Sequence, residues 1–351
     1  MKHFFSRAIL FTVLVITFCA GMAQKIKYFN NPLLPMGPDP WSIYKDGFYF
    51  YTHTTQNNIT IYKTKDITNL KNAKVKVVWI PPKTGMYSKQ LWAPELHFFN
   101  NQWYIYFAAD SGRNEDHRLY VLENSSPDPQ KGKWIMKGKL TTPEDKWSID
   151  GSVFTHKGKL YLIWSGWAGD VNGRQDIYIT KMKNPWTVTG KRTLLSKPDL
   201  EWEKFNYTAE PNNELNNIYV NEGPQILQHK NKIFLIYSGS GCWTEHYALG
   251  MLTASGNSDL LDAKAWTKSQ QPVFHQSPEN NIYATGHNSF FKSPDGKEDW
   301  ILFHANSKPG QGCGDFRAPY AQKIEWDAND CPDFGIPLST KNVLTKPSGL
   351  K

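Results

Sequence analysis

Cysteine is scarce in this chain of 351 residues, with four in all and no pair at metal-ligand spacing, so a zinc-finger reading is excluded. An excess of one charge sign is nearly missing too. Forty Lys and Arg stand against 32 Asp and Glu, a formal charge of +8, with no Lys/Arg run of five or more and no Walker loop. Nothing here supports a nucleic-acid partner. Helical periodicity of any length is absent, and Leu260–Ala265 suffices for a turn or two at most. Parallel α/β folds need helices between their strands and are excluded on that ground. No apolar run beyond the N-terminus approaches the ~20 residues of a transmembrane segment. Aromatic residues, by contrast, are abundant: 14 Trp, 17 Tyr and 19 Phe, or 14% of the chain. That load is too rich for intrinsic disorder. Such rings either fill β-rich layers or line a ligand site.

The N-terminus reads as a targeting segment. Lys2, His3 and Arg7 precede the 13-residue apolar run Ala8–Ala20, followed by Gly21-Met22-Ala23. A positive start, a short apolar core and a small-x-small end predict a secretory signal over 1–23, cleaved before Gln24. The run is too short to span a bilayer. Cys19 raises lipid anchoring as an alternative, against which the bulky Phe18 argues. Loss of Lys2 and Arg7 lowers the formal charge from +8 to +6. The mature chain, 24–351, is expected in the periplasm or outside the cell. Its three cysteines, Cys242, Cys313 and Cys331, allow one disulfide with three possible pairings and one thiol left over.

Internal repetition organises the rest. Asp39-Pro40-Trp41-Ser42-Ile43-Tyr44 leads through Asp46-Gly47 to Phe48-Tyr49-Phe50-Tyr51. Trp92-Ala93-Pro94-Glu95-Leu96 leads through Asn100-Asn101 to Trp103-Tyr104-Ile105-Tyr106-Phe107. Asp150-Gly151-Ser152, Glu222-Gly223-Pro224 and Gly286-His287-Asn288 open three further units of the same kind. Each reads as a strand, a tight turn and a second strand of aromatic and β-branched residues. Further strands follow, as at Ile59-Thr60-Ile61-Tyr62 and Ile177-Tyr178-Ile179-Thr180. Five units roughly 55 to 72 residues apart, each of about four strands, predict an all-β, single-domain, five-bladed β-propeller, with a double-sheet sandwich as the structural rival. Most rings are then expected to pack between blades.

The residue at the start of each hairpin carries the chemistry. Asp39, Asp150 and Glu222 stand eight, eight and nine residues ahead of Gly47, Gly158 and Asn231, and His287 stands nine ahead of Gly296. A lone Asp before Pro or Gly is commonly a turn residue bonding its own backbone. Turn roles, however, do not predict one register in separate units. In a propeller equivalent positions converge at one mouth of the central channel, so three carboxylates would meet there, and such clusters mark functional sites. Two carboxylates with separated pKa values perform glycoside hydrolysis, and a third can hold the acid protonated.

These motifs, in this order over about 30 to 340, resemble glycoside hydrolase family 43. The resemblance implies a five-bladed propeller and hydrolysis with inversion, with Asp39 as general base, Glu222 as general acid and Asp150 orienting that acid and raising its pKa. The two reacting carboxyls are then expected ~6.5–9.5 Å apart. The runs Gly312–Gln322 and Ser238–Trp243 are similar to those of members that remove terminal α-L-arabinofuranose, which implies an exo-acting α-L-arabinofuranosidase on α-1,5-linked arabinan of plant cell walls. β-Xylosidase and endo-arabinanase activities share the trio and stay open, as does a carbohydrate-binding propeller without turnover. Trp92, Trp243, Arg317 and Glu95 are the expected substrate-side residues. His287 corresponds to a residue beside a hydrated channel cation, frequently calcium. One imidazole is a poor calcium ligand, so waters would supply the remainder, and the chemistry itself needs no cofactor. The polar stretch Asp199–Tyr219 is the expected cleft wall. Oligomeric state is not legible.

Overall fold

The computed structural model describes residues 28–208 and 210–350. The signal segment 1–23, with Cys19 and the cut before Gln24, lies outside the described residues.

The chain is all-β. Its first four-stranded unit comprises Trp41–Lys45, Phe48–Thr52, Ile59–Thr64 and Lys74–Trp79; its second comprises Lys89–Phe99, Gln102–Asp110, Arg118–Asn124 and Ile135–Leu140. The third runs Ser148–His156, Lys159–Trp167, Arg174–Asn184 and Thr187–Ser196. Unit four is Tyr219–His229, Lys232–Gly239, Ala248–Ser255 and Thr267–Lys268, and unit five Tyr283–Lys292, Asp299–Asn306, Ala318–Trp326 and Pro332–Asp333. Within each unit successive strands pair antiparallel. A short parallel pairing, Arg174 with Tyr219 and Gln175 with Val220, joins units three and four. Helical turns among the described residues are 3-10 turns of three to six residues; the segment around Leu260–Ala265 contributes only Ala263–Ala265.

Local chemistry explains the hairpins. Asp46-Gly47, Asn100-Asn101 and Lys157-Gly158 all have positive φ at both positions, the mirror-image turn whose twist matches that of the flanking strands. The second strands then alternate sides with period two. Tyr49 and Tyr51 enter the cluster between units five and one, while Phe50 enters the one between units one and two. Trp103, Ile105 and Phe107 face unit one, and Tyr104, Tyr106 and Ala108 face unit three. Both faces of these strands are therefore buried, which is why they read as continuous aromatic runs. The twelve largest fully buried side chains are all aromatic.

The first strands of successive units touch in the cyclic order one, two, three, four, five, one. The N-terminal segment lies along the third strand of unit five, where Asn31 exchanges hydrogen bonds with the backbone of Ala321 and Leu33 N–H donates to Pro319 O. Tyr28–Phe29 pairs with Leu344–Thr345, so the two ends of the described chain are tied together.

Candidate active site

A residue at positive φ recurs at equivalent places in the five units: Asp39 (57°) just ahead of the first strand of unit one, then Ala93 (43°), Asp150 (54°), Gly223 (56°) and His287 (48°) within the first strands of the others, with Gln90 (46°) and Ala284 (50°) as further positive-φ residues in units two and five. The ladder register also slips there in units two to five. These are bulges, which re-aim a side chain relative to the pleat, and left-handed backbone at Asp, Ala and His is strain held by the surrounding fold. The position equivalent to the acids in unit two is thus Ala93, eight residues ahead of Asn101, and in unit four it is Gly223. Glu222 arrives from one residue earlier. Gly223 takes this φ without the strain its counterparts carry, and a Cβ there would make a tight 3.3 Å contact with the His287 ring.

The acids meet in a cleft of about 480 Å³ whose lining includes Asp39, Asp150, Glu222, His287, Arg317, Trp92 and Trp243. Asp39 is buried and heavily partnered. Arg317 Nη1 donates to its Oδ1 at 3.0 Å and Thr54 Oγ1 to its Oδ2 at 2.6 Å. His287 Nδ1 lies 3.3 Å from Oδ1. The Asp39 N–H donates to His304 Nδ1 at 3.1 Å, which leaves the neutral ring its proton on Nε2. Burial would raise the Asp39 pKa, but Arg317 and then His287 outweigh it and hold the carboxyl well below its ordinary range. Asp39 stays ionised.

The other two acids go the opposite way. Burial, then the charge of Asp150, pushes Glu222 up to about 7, with His287 and the Tyr247 hydroxyl pulling back. Burial also pushes Asp150 up to about 6, against the pull of His287 and the Gly223 amide, which donates to Oδ2 at 2.9 Å. His287 is itself raised: Asp39, Asp150 and Glu222 surround it and together overcome its burial. One permanently ionised carboxylate thus faces one that keeps its proton to near neutrality.

Trp92 lines the cleft with its ring anchored on two sides. Its indole N–H donates to Gln56 Oε1 at 2.9 Å, and its ring stacks on His117 at 3.9 Å. Trp243 is fixed through Nε1 to Asn206 O at 2.9 Å. Cys242 and Cys313, both on the cleft, form the disulfide and leave Cys331 as the free thiol among the described residues. From the Asp199–Tyr219 stretch, the wall of the cleft is supplied by Glu214, Leu215 and Ile218. Glu95 is placed apart from these. Two residues past Ala93, it falls in a deeper layer, bonded to His97 Nε2 at 2.8 Å and to Gln225 Nε2, which through Oε1 accepts from Ser152. Thr54, His304 and Tyr247 were not legible as site residues, because none stands at the start of a hairpin, the position that flags the acids.

The described residues around His287 offer no direct protein cage for calcium, so a cation there would be held through water. The His287 Nδ1 is paired with Asp39, and among the described residues no three His, Cys, Asp or Glu side chains are arranged to hold a metal, whereas calcium takes six to eight oxygens.

The chain belongs to the glycosyl hydrolases family 43, whose sequence profile matches residues 29–332. It is 38% identical over 320 residues to an extracellular exo-α-(1→5)-L-arabinofuranosidase of Streptomyces avermitilis, covering 89% of this chain and 64% of that one. It therefore spans just under two thirds of the length of that relative. The similarly named Streptomyces chartreusis protein is 36% identical over 290 residues, covering 82% of this chain and 85% of the relative. Among solved structures, an α-L-arabinofuranosidase from Lactobacillus brevis superposes with a TM-score of 0.82 at 34% identity, covering 90% of this chain and 98% of that one. No helix among the described residues is long and apolar enough to cross a membrane.

Proposed function

We propose that this protein is an exported, inverting, exo-acting α-L-arabinofuranosidase that releases arabinose from α-1,5-linked arabinan and its oligosaccharides, built as a one-domain five-bladed β-propeller. The observation that carries the reading is the split among the cleft carboxylates, with Asp39 held ionised and Glu222 held protonated to near pH 7. Asp39 takes a proton from a water as that water attacks the anomeric carbon. Glu222 delivers its proton to the glycosidic oxygen, which leaves with the electrons of the broken C–O bond. Asp150 keeps the acid protonated by like-charge proximity and is oriented by the Gly223 amide. Trp92 and Trp243 offer sugar-facing surfaces.

The cyclic contact of the five first strands and the five inter-unit clusters favour a propeller over a sandwich. Glu214, Leu215 and Ile218 wall one side of the cleft, as terminal-unit removal requires. The named activities of the Streptomyces and Lactobacillus relatives favour arabinofuranose over xylose, and the two Streptomyces proteins are named extracellular. A cation held through water beside His287 would leave this chemistry unchanged, and no step runs through one. Incubation with linear arabinan, debranched arabinan and xylo-oligosaccharides tests the reading. Free arabinose as the first product, with the β-anomer appearing initially, is expected. Release of xylose alone, of internal oligomers alone, or of no sugar would refute it.

A further inference from the structure

The acid Glu222 has one close partner that does not line the cleft. Tyr247 sits at the end of the connection that follows strand Lys232–Gly239, is fully buried, and donates its hydroxyl to Glu222 Oε1 at 2.8 Å. The ring has no freedom to leave. One face stacks on His304 at 5.7 Å with the planes 7° apart, and the edge fills the space over Gly286, where a Cβ would lie 2.0 Å from Cε1. Burial, then the nearby Glu222 carboxyl, pushes the Tyr247 hydroxyl well above its ordinary pKa, so the phenol remains a donor at every working pH.

We infer that Tyr247 is a positioning residue for proton delivery: by donating to Oε1 it assigns the Glu222 proton to Oε2, and it stabilises the carboxylate left behind when that proton departs. A protonated carboxyl has one O–H and one carbonyl oxygen, and the oxygen that accepts from a phenol is the carbonyl one. Once the proton has gone, the same bond becomes charge-assisted and strengthens. An interaction stronger after proton transfer than before lowers the barrier. No proton passes through Tyr247 itself. The other groups facing Glu222 are Asp150 from unit three, Asp39 from the segment before unit one, and His287 from unit five. Only Tyr247 makes a direct hydrogen bond to the acid among the described residues.

The kinetic part of this inference rests on the hydrolase reading above, so the test has a half that does not. Glutamate carboxyl carbons labelled with ¹³C are followed by NMR against pH in the wild type and in Tyr247→Phe, with the Glu222 resonance assigned by its loss in Glu222→Gln. Removing the donor should move the Glu222 midpoint up by about one pH unit. Gly286→Ala, which displaces the ring, should move it in the same direction. In parallel, kcat/KM is measured on two aryl arabinofuranosides. Tyr247→Phe should lose ~10- to 100-fold on the poor leaving group and much less on the activated one, with the basic limb of the profile displaced upward. An unchanged midpoint in both variants, or equal loss on both substrates at all pH values, overturns the inference. If the wild type cleaves neither substrate, the hydrolase reading falls, and the NMR titration still decides whether Tyr247 tunes the acid.

Discussion

Replacing Glu222 with Gln should make the protein more stable at pH 8, and by a clearly smaller margin at pH 5. In the unfolded chain this carboxyl titrates near 4.5, and in the fold it is pushed to about 7 by burial and then by Asp150. Folding therefore takes up a proton between those values. The site's contribution is fully favourable below 4.5 and is lost as pH rises through 7, because the fold must then hold a charge it disfavours. The gap between 4.5 and about 7 corresponds to ~3 kcal/mol at 1.4 kcal/mol per tenfold. Glu222 keeps part of its surface open to the cleft, so solvent screening reduces this to ~1–2 kcal/mol. For a chain of this size that is roughly 2–4 °C in Tm. The amide matches the neutral acid in shape and can still accept from Tyr247. Calorimetric melts of both proteins at pH 5 and pH 8 measure the difference directly. An offset that is the same at both pH values, or a variant that is less stable at pH 8, would refute the claim that the acid is held protonated by its surroundings.

Activity should follow the same split. The kcat/KM profile should fall tenfold per pH unit above about 7, where Glu222 loses its proton, and Glu222→Gln should lack that limb when assayed on an activated aryl arabinofuranoside. Asp39→Asn should abolish turnover on activated and natural substrates alike, since water activation precedes either leaving group; retained hydrolysis of the activated one would contradict its role. Cys242→Ser with Cys313→Ser opens a link between positions 71 residues apart and should cost ~4 kcal/mol of stability in chemical denaturation, with a raised KM because both cysteines hold the cleft rim. Trp92→Ala should raise KM ~10-fold with a smaller change in kcat; an unaffected KM would mean that its ring serves only to pack on His117.

Much of this molecule could be read from the chain because its strongest signals are local. Asp46-Gly47, Asn100-Asn101 and Lys157-Gly158 need only their own backbone preferences to turn, and runs such as Phe48–Thr52 announce strands buried on both faces. The register of Asp39 and Asp150 eight residues ahead of a turn was visible for the same reason. Glu95 was legible as an acid near the right place but not as a member of a lower layer. Its true offset depends on the bulge at Ala93, and bulges have no composition signature of their own.

Repeat, turn chemistry and the three acids are properties of short stretches, and the order of residues alone specifies them. Which acid keeps its proton is not such a property. Asp39 and Asp150 look alike in the sequence, yet one is held ionised by Arg317, 278 residues away, and the other is pushed toward neutrality by burial. The same holds for the choice of Cys313 over Cys331 as partner of Cys242, and for the approach of Tyr247 to Glu222. Charge and hydrogen bonding act through space over a few ångströms, and only closure of the five units brings those partners within that range.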